Sequence, residues 1–335
     1  MSSVAGCRAK ARILVTPAAN VLLGILAVLA PISNGLLAQL QDQSLFQRSI
    51  AAIARRQQID DSVALTGARS ILLKGEAPTP RAIVLLHGLT DSPRQFEALA
   101  YLLNGDGNNV YVPRLPQHGL RGGNASALGK LTAAQLTGAA DSIVNEARGL
   151  GDSVVVIGLS MGGVVAAWIA QQRSVLRVVL IAPAIEPGRV PSLFDRPLVG
   201  LADRLPSMTR RGQPDASRPD REPGINTRAI AEILELGRTV LGESTRERPL
   251  TLDITTLVNA SDRTVSNSAA EALARNWSSH GARVRVFEIP DSLRLPHNII
   301  DPLQGRVGGE AVLGLLRDLA YGREPSSIVR DISPR

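Results

Sequence analysis

Short apolar runs alternate with longer amphipathic stretches along most of the chain. The runs over residues 82–87 and 153–158 are almost entirely apolar, as expected for strands buried on both faces of a sheet. The stretches between the runs carry apolar residues at helical spacing. Alternating strands and helices predict an α/β fold, with a mostly parallel central sheet and helices on both faces.

The predicted elements follow one another with short connections. Strands are expected over residues 82–87, 109–112, 153–158, 175–181, 252–258 and 283–289. Helices are expected over residues 93–104, 132–148, 161–171, 227–241, 266–280 and 302–320. In sheets of this kind, ligands bind at the loops that follow the carboxyl ends of the strands. The functional residues are therefore expected in those loops.

One segment breaks this alternation. Residues 184–226 contain seven prolines and closely spaced opposite charges, which disfavour long helices and strands. We expect an insertion with little regular structure or with short helices. Its apolar residues either line a pocket or pack the insertion itself; they are Leu193, Phe194, Leu198, Val199 and Leu201.

The first 35 residues have the pattern of a targeting segment. Arg8, Lys10 and Arg12 precede an apolar stretch over residues 13–32, and cleavage is predicted after Gly35. This pattern is typical of a signal peptide or of an N-terminal membrane anchor, and the sequence leaves both open. In either case the basic end stays in the cytoplasm and the remainder lies outside it, in the periplasm or beyond.

Composition and charge narrow the functional classes. The chain is 44% apolar and 20% charged, which indicates a globular protein. Aromatic residues make up only 3%, and the net charge of +7 is scattered, so no nucleic-acid partner is expected. The single cysteine, Cys7, cannot form a Cys-rich zinc site. No metal or cofactor motif is present, so we expect neither.

A nucleophile is predicted where the strand over residues 153–158 ends. Gly158-Leu-Ser160-Met-Gly162 matches the pattern G-x-S-x-G, and a helix is predicted directly after it. Glycine two positions before and after the serine allows strand and helix to approach without Cβ clashes. Ser160 is therefore expected to present its hydroxyl at the start of the helix.

A serine hydroxyl becomes a good nucleophile only when a base removes its proton. The chain has four histidines: His87, His118, His280 and His297. Of these, His297 follows the last predicted strand, and we predict it as the base. His87 is expected to support a loop, and His280 lies at the end of a predicted helix.

The base in turn needs an acid that orients its ring and stabilises its charged form. Asp262 follows the strand over residues 252–258, and it gives the chain order Ser, Asp, His that is expected for such a site. Asp291 and Asp301 flank His297 and are rivals for this role. Both are better explained as turn and helix-cap residues.

Acyl transfer also needs two N–H donors for the developing oxyanion. One is predicted to be the backbone N–H of Met161, directly after the nucleophile. The second is predicted to be the N–H of Leu89, in the loop over residues 87–93, with His87 and Gly88 supporting that loop.

Three segments together resemble the α/β-hydrolase superfamily. They are residues 86–93, 110–119 and 158–163. Within the superfamily, the likeness is to the carboxylesterase, monoacylglycerol lipase and serine aminopeptidase-like group. The second segment departs from the family pattern, because Gln117 stands where a glycine is usual. The aspartate segment of the family is matched at Asp262–Val265, and its histidine segment is matched more loosely at residues 292–297.

The resemblance covers roughly residues 63–321 and not the first 60, and together with the N-terminal pattern it predicts a domain plan. Residues 1–35 are a signal peptide or anchor, residues 36–62 a linker or amphipathic helix, and residues 63–321 an α/β-hydrolase domain. The insertion over residues 184–226 is its cap, and residues 322–335 form a C-terminal tail.

The resemblance also implies an activity. It predicts a serine carboxylic-ester hydrolase that acts on an acylglycerol, a lysophospholipid or a short acyl ester through an acyl-enzyme on Ser160. A thioesterase, an amidase or peptidase, and an acyltransferase remain open with the same residues. A non-catalytic, membrane-tethered interaction protein remains open as well. The expected partner is a small acyl ester, with membrane association through residues 13–32 if that segment is retained; the oligomeric state is left open.

Overall fold

The computed structural model describes residues 41–122, 125–188, 208–211, 220–221, 224–300, 309–325 and 328–334. The chain divides into two units, Met1–Ser44 and Leu45–Arg335, and the fold below is that of the second. The predicted targeting segment, Asp301 and most of the predicted insertion lie outside the described residues. Among the helices that are described, none is long and apolar enough to cross a membrane.

The central sheet has eight strands in the order β1-β3-β2-β4-β5-β8-β9-β10. The strands of the chain are β1 Ile71–Leu73, β2 Ala82–Leu86, β3 Asn109–Val112, β4 Val154–Leu159, β5 Arg177–Ile181, β6 Thr209–Arg211, β7 Gly224–Asn226, β8 Asp253–Asn259, β9 Arg283–Ile289 and β10 Arg330–Asp331. The strands from β3 to β9 in this order pair in parallel, and β1 and β10 add antiparallel edges. The predicted fold class, a mostly parallel α/β sheet, is confirmed.

Helices cover both faces of this sheet. They are α1 over residues 41–63, α2 Glu97–Gly105, α3 Ala125–Leu128, α4 Ala133–Ala147, α5 Met161–Gln172, α6 Thr227–Ser244, α7 Asn267–Ser279 and α8 Gly309–Tyr321. Short 3-10 helices add Pro93–Phe96 before α2 and Asp291–Leu293 after β9. Two apolar clusters result, one on each side of the sheet.

Parallel pairing places the functional loops at one edge of the sheet. Leu86 at the end of β2 lies opposite Gly158 in β4, and Leu159 lies opposite Ile181 at the end of β5. All residues of β2, β4 and β5 are buried, because helices cover both faces. The loops that follow β2, β4, β8 and β9 therefore meet at the carboxyl edge.

Helix α1 packs on this core. Phe46 and Ile53 are fully buried in the same cluster as β4 and α4. Arg56 binds Glu146 of α4 at 2.8 Å, and the Tyr111 hydroxyl donates to the same carboxylate at 2.8 Å. A helix is therefore present over residues 41–63, and from Leu45 onwards it belongs to the same unit as the sheet and contributes to its core.

The structure differs from the predicted elements in a few places. The described part of the insertion holds an antiparallel strand pair, β6 and β7, rather than short helices. The edge strands β1 and β10 were not predicted, because runs of three and two residues leave too little pattern. β10 lies in the segment predicted as a C-terminal tail. The last helix is described from Gly309, and residues 301–308 of its predicted span lie outside the described residues.

The contact between α1 and the turn after α4 gives a test. A Cβ on Gly149 would lie 2.4 Å from the Leu45 carbonyl oxygen and 2.6 Å from the Ser49 hydroxyl. We expect Gly149→Ala to lower the free energy of unfolding by about 1–3 kcal/mol, as over-packing does. The control is Gly138→Ala in α4, where a Cβ would meet nothing within 4 Å and stability should stay equal or rise by up to about 1 kcal/mol. Urea unfolding measures both; equal stability of the two variants would contradict the packing of α1.

Candidate active site

Ser160 occupies a sharp elbow between β4 and α5. Its backbone has φ 57° and ψ −112°, a region that costs a non-glycine residue about 1–3 kcal/mol. The elbow is held by its neighbours: the Ser160 N–H donates to the Ile181 carbonyl at 2.9 Å, and the Ser160 carbonyl accepts from the N–H groups of Val164 and Ala184. The Ser160 hydroxyl has no hydrogen-bond partner among the described residues.

Glycines make this elbow possible. A Cβ on Gly158 would lie 2.0 Å from the Gly162 carbonyl oxygen, and a Cβ on Gly162 would lie 2.0 Å from the Leu86 carbonyl oxygen. On Gly163 a Cβ would lie 2.9 Å from Cα of Pro183. The run Gly158 to Gly163 therefore lets β4, α5 and the end of β2 come into backbone contact, as the pentapeptide predicts.

His297 and Asp262 form a close pair at the same edge. His297 Nδ1 lies 2.5 Å from Asp262 Oδ2, and it must be the donor because an ionised carboxylate only accepts. Burial alone would raise the pKa of Asp262, but hydrogen bonds from His297 and from the N–H groups of Thr264 and Val265 outweigh it and lower that pKa. The opposite ring nitrogen, His297 Nε2, is buried and has no partner among the described residues.

Asn259 holds the two loops that carry this pair, and the sequence analysis missed it. Its side-chain amide donates to the carbonyls of Leu295 and Pro296 at 2.9 and 3.2 Å, just before His297. Its backbone carbonyl accepts from the Asp262 N–H at 3.0 Å. The signal available in the sequence was an amide residue directly after an apolar run and shortly before Asp262.

The loop after β2 borders Ser160. A Cβ on Gly88 would lie 3.7 Å from Cβ of Ser160 and 3.3 Å from a methyl group of Leu159. The N–H groups of Leu89 and Met161, predicted as oxyanion donors, have no acceptor among the described residues. Both donors are thus available to a ligand beside Ser160.

His87 is built into this loop. Its Nε2 accepts from the Leu115 N–H at 3.1 Å, so Nδ1 carries the proton and donates to the Gly88 carbonyl at 3.0 Å. Complete burial lowers the pKa of His87 well below its usual value, and the nearby His118 lowers it further. His87 is therefore a neutral ring that is fixed by two backbone groups of neighbouring loops, and neither ring nitrogen is free to act as a base.

His118 lies against His87 in an edge contact, with ring centroids 5.0 Å apart. Its Nδ1 donates to the Pro116 carbonyl at 2.7 Å, and burial lowers its pKa to about 4. The preceding Gln117 has φ 64°, a left-handed conformation, which explains why a glycine is usual at this position. Gln117 therefore changes a turn and leaves the candidate site intact.

The remaining predicted residues lie elsewhere. Asp291 accepts a hydrogen bond from the Ser261 hydroxyl at 2.9 Å and is a turn residue, as expected. His280 ends α7, with Nδ1 bonded to the Asn276 carbonyl. Within the described ranges there is no group of His, Cys, Asp and Glu side chains that could hold a metal ion.

Comparison with known proteins assigns the family of this chain. A family model described as the alpha/beta hydrolase family matches residues 83–292, more than half of the chain. The chain belongs to this family. The match spans the elbow, the loop after β2 and Asp262, and it ends shortly before His297. No curated protein sequence matches this alpha/beta hydrolase.

Solved structures share the fold of this alpha/beta hydrolase. One, from work on LipS and LipT, two metagenome-derived lipolytic enzymes, has a TM-score of 0.58 at 20% identity and covers 77% of this chain and 98% of its own. The Paleococcus ferrophilus monoacylglycerol lipase has a TM-score of 0.56 at 18% identity, covering 76% and 98%. A soluble variant of the Saccharomyces cerevisiae monoglyceride lipase has a TM-score of 0.57 at 13% identity, covering 76% and 90%.

The buried histidine pair predicts a pH dependence of stability. A histidine whose folded pKa is lowered stabilises the fold above its unfolded pKa of about 6.5, and this stabilisation is lost as the pH falls toward the folded pKa. With the pKa of His118 at about 4, this residue should cost about 2 kcal/mol of stability between pH 7 and pH 5.

The variant His118→Asn tests this, because its amide can still donate to the Pro116 carbonyl. We expect the variant to lose less stability than the wild type between these two pH values. Urea unfolding at pH 7 and pH 5 measures the difference. Parallel losses in both proteins would refute the buried neutral state of His118.

Proposed function

We propose that this alpha/beta hydrolase is a serine hydrolase that cleaves carboxylic esters, with Ser160 as nucleophile, His297 as base and Asp262 as acid. One observation carries the proposal: Asp262 fixes the tautomer of His297 and leaves Nε2 as a buried acceptor that has no partner in the described part of the chain. Such an acceptor, at the same sheet edge as a serine on a strained elbow, is suited to take the hydroxyl proton.

In the proposed acylation step, Oγ of Ser160 attacks the carbonyl carbon of the ester and Nε2 of His297 takes its proton. The negative charge that develops on the carbonyl oxygen is stabilised by the N–H groups of Leu89 and Met161. The C–O bond of the ester then breaks, and Nε2 returns the proton to the leaving alcohol. A water molecule, deprotonated in turn by His297, hydrolyses the acyl-enzyme and regenerates Ser160.

Asp262 serves both steps through the charge of His297. Hydrogen bonds that lower the pKa of Asp262 keep its carboxylate ionised. An ionised acceptor at Nδ1 stabilises the imidazolium that forms in each step and holds the ring in one orientation. The loop over residues 87–93, which carries the Leu89 N–H, is called the oxyanion loop. His87 and Gly88 support it, because they fix the backbone before Leu89.

For the substrate, we propose an acylglycerol, a lysophospholipid or a short acyl ester. Fold similarity to lipolytic enzymes and monoacylglycerol lipases supports this class. Residues 63–321 would form the catalytic domain and the insertion over residues 184–226 its cap, which would shape the acyl pocket and exclude water. A thioester or an amide as acyl donor, or an alcohol in place of water as acyl acceptor, would use the same steps. The products differ, so product analysis separates these cases.

An activity-based probe tests the proposed nucleophile. A fluorophosphonate should label the full-length wild type at Ser160 alone, and it should not label Ser160→Ala. Hydrolysis of a p-nitrophenyl ester should fall by about a thousandfold or more in Ser160→Ala and in His297→Ala. The matched control is Ser153→Ala, which should behave as wild type. Ser153 directly precedes β4, at the other end of this strand from Ser160. A folded wild type that neither labels nor cleaves any ester would favour the interaction-protein alternative.

We also propose that the catalytic domain acts outside the cytoplasm. The basic residues before the apolar stretch over residues 13–32 support this. In a Gram-negative host that expresses the full chain, ester hydrolysis should be found in the periplasmic or the membrane fraction. N-terminal sequencing should begin at residue 36 if the segment is a signal peptide and should include residues 13–32 if it is an anchor. Activity confined to the cytoplasm, with the segment intact, would contradict the export.

A further inference from the structure

A buried polar cluster outside the proposed triad connects three loops at the carboxyl edge. At its centre is Asp91, which is only 2% exposed. Its Oδ2 atom accepts hydrogen bonds or ion-pair contacts from three side chains: Gln95 Nε2 at 3.1 Å, Arg221 Nε at 3.3 Å and Asn298 Nδ2 at 3.4 Å. The three donors belong to the 3-10 helix after β2, to the insertion, and to the residue that follows His297.

Within the oxyanion loop, Asp91 is connected to Gly88 through Gln95. The Gln95 side-chain oxygen accepts from the Gly88 N–H at 2.8 Å, while its nitrogen donates to Asp91. The backbone N–H of Asp91 donates to the Gly88 carbonyl at 3.2 Å. Gly88 is thus held at both its N–H and its carbonyl by groups that depend on the position of Asp91. The next N–H along the chain is that of Leu89, the proposed oxyanion donor.

The same loop carries backbone strain. Thr90 has φ 70°, a conformation that is unfavourable for a β-branched residue and costs about 1–3 kcal/mol. Strain of this kind persists only where the surrounding contacts determine the backbone. The bonds of Asp91 and Gln95 lie directly beside Thr90, so they are the contacts positioned to hold the Leu89 N–H in place.

The insertion reaches this loop by a second contact. Asp220 is fully buried, and the Ser92 hydroxyl donates to its carboxylate at 2.5 Å. Arg94 lies 3.6 Å from the other oxygen of Asp220. Two neighbouring residues of the insertion, Asp220 and Arg221, therefore contact the loop with opposite charges. Opposite charges on adjacent residues fix which of them contacts which part of the loop.

We propose that Asp91 is a positioning residue that couples the insertion and the His297 loop to the oxyanion loop. This inference rests on the proposed function, because it concerns the same ester hydrolysis. Asp91 does not touch the reacting atoms. It acts by holding the Gly88 peptide, and so the Leu89 N–H, in one arrangement relative to Ser160 and His297.

Asp91→Asn is the decisive substitution. The variant keeps the size of the side chain, but it removes the charge that binds Arg221 and places a donor where donors converge. Loss of one oxyanion donor costs about a hundredfold to a thousandfold in kcat, and a displaced donor should cost less. We expect kcat for a p-nitrophenyl ester to fall about tenfold to a hundredfold, with KM changed by less than about threefold.

Two further variants assign the effect to the proposed contacts. Arg221→Gln should lower kcat in the same direction, and the double variant Asp91→Asn with Arg221→Gln should be no slower than Asp91→Asn alone, since both remove one interaction. Asp91→Glu keeps the charge and should recover part of the lost kcat. A role in stability alone would not produce this recovery together with an unchanged KM.

The matched control is Asp253→Asn. Asp253 is another buried carboxylate bound by arginines, Arg177 and Arg283, but it lies at the amino end of β8, away from the site. This variant should lose stability and keep kcat within about twofold, because no proposed catalytic group depends on it. Urea unfolding of each variant shows that the folded protein is being assayed.

The outcomes separate the two levels of the argument. If the wild type labels with fluorophosphonate and cleaves the ester, and Asp91→Asn has wild-type kcat or alters KM alone, this inference is wrong and the proposed function stands. An equal loss of kcat in Asp91→Asn and Asp253→Asn also overturns the inference. A folded wild type that neither labels nor cleaves overturns the proposed function and this inference with it.

Discussion

The close backbone approach at the Ser160 elbow is the constraint on which the rest of the candidate site depends. Gly162 meets the Leu86 carbonyl at a distance that leaves no room for a Cβ, so the start of α5 sits directly against the end of β2. This contact places the loop after β2 beside Ser160. Among the described residues, neither the Met161 N–H nor the Leu89 N–H has an acceptor. A single methyl group at position 162 would separate the two halves of the proposed oxyanion hole.

The other half of the site depends on the ends of β8 and β9. Parallel pairing from Asp253 to Asn259 brings the acid loop and the histidine loop to the same edge. Asn259 then contacts both loops. Its side-chain amide donates to the loop before His297, and its backbone carbonyl accepts from the Asp262 N–H. Because its hydrogen-bonding groups are buried, leaving them unpaired would be costly. The geometry of His297 and Asp262 is thus stabilised by a residue outside the proposed triad.

An ion pair and two buried histidines connect the candidate site with helix α1. Arg114 binds Asp60 of α1 at 2.8 Å and donates to the His118 carbonyl at 2.9 Å. His118 packs on His87, and His87 holds the oxyanion loop from one side while Asp91 holds it from the other. The proposed Leu89 donor therefore lies between two networks, one that reaches α1 and one that reaches the insertion. These networks are the contacts that offset the cost of the positive φ at Thr90.

The sequence by itself determined the fold class, because two-sided burial of parallel strands leaves continuous apolar runs that can be read along the chain. It also indicated Ser160, Asp262 and His297, since each follows a predicted strand in the order expected for this fold. Tertiary structure decided which groups hold them. The contacts of Asn259 and Asp91 join segments far apart in the chain, and no local pattern records a partner across such a distance. The edge strands and the packing of α1 likewise depend on neighbours that only the folded chain provides.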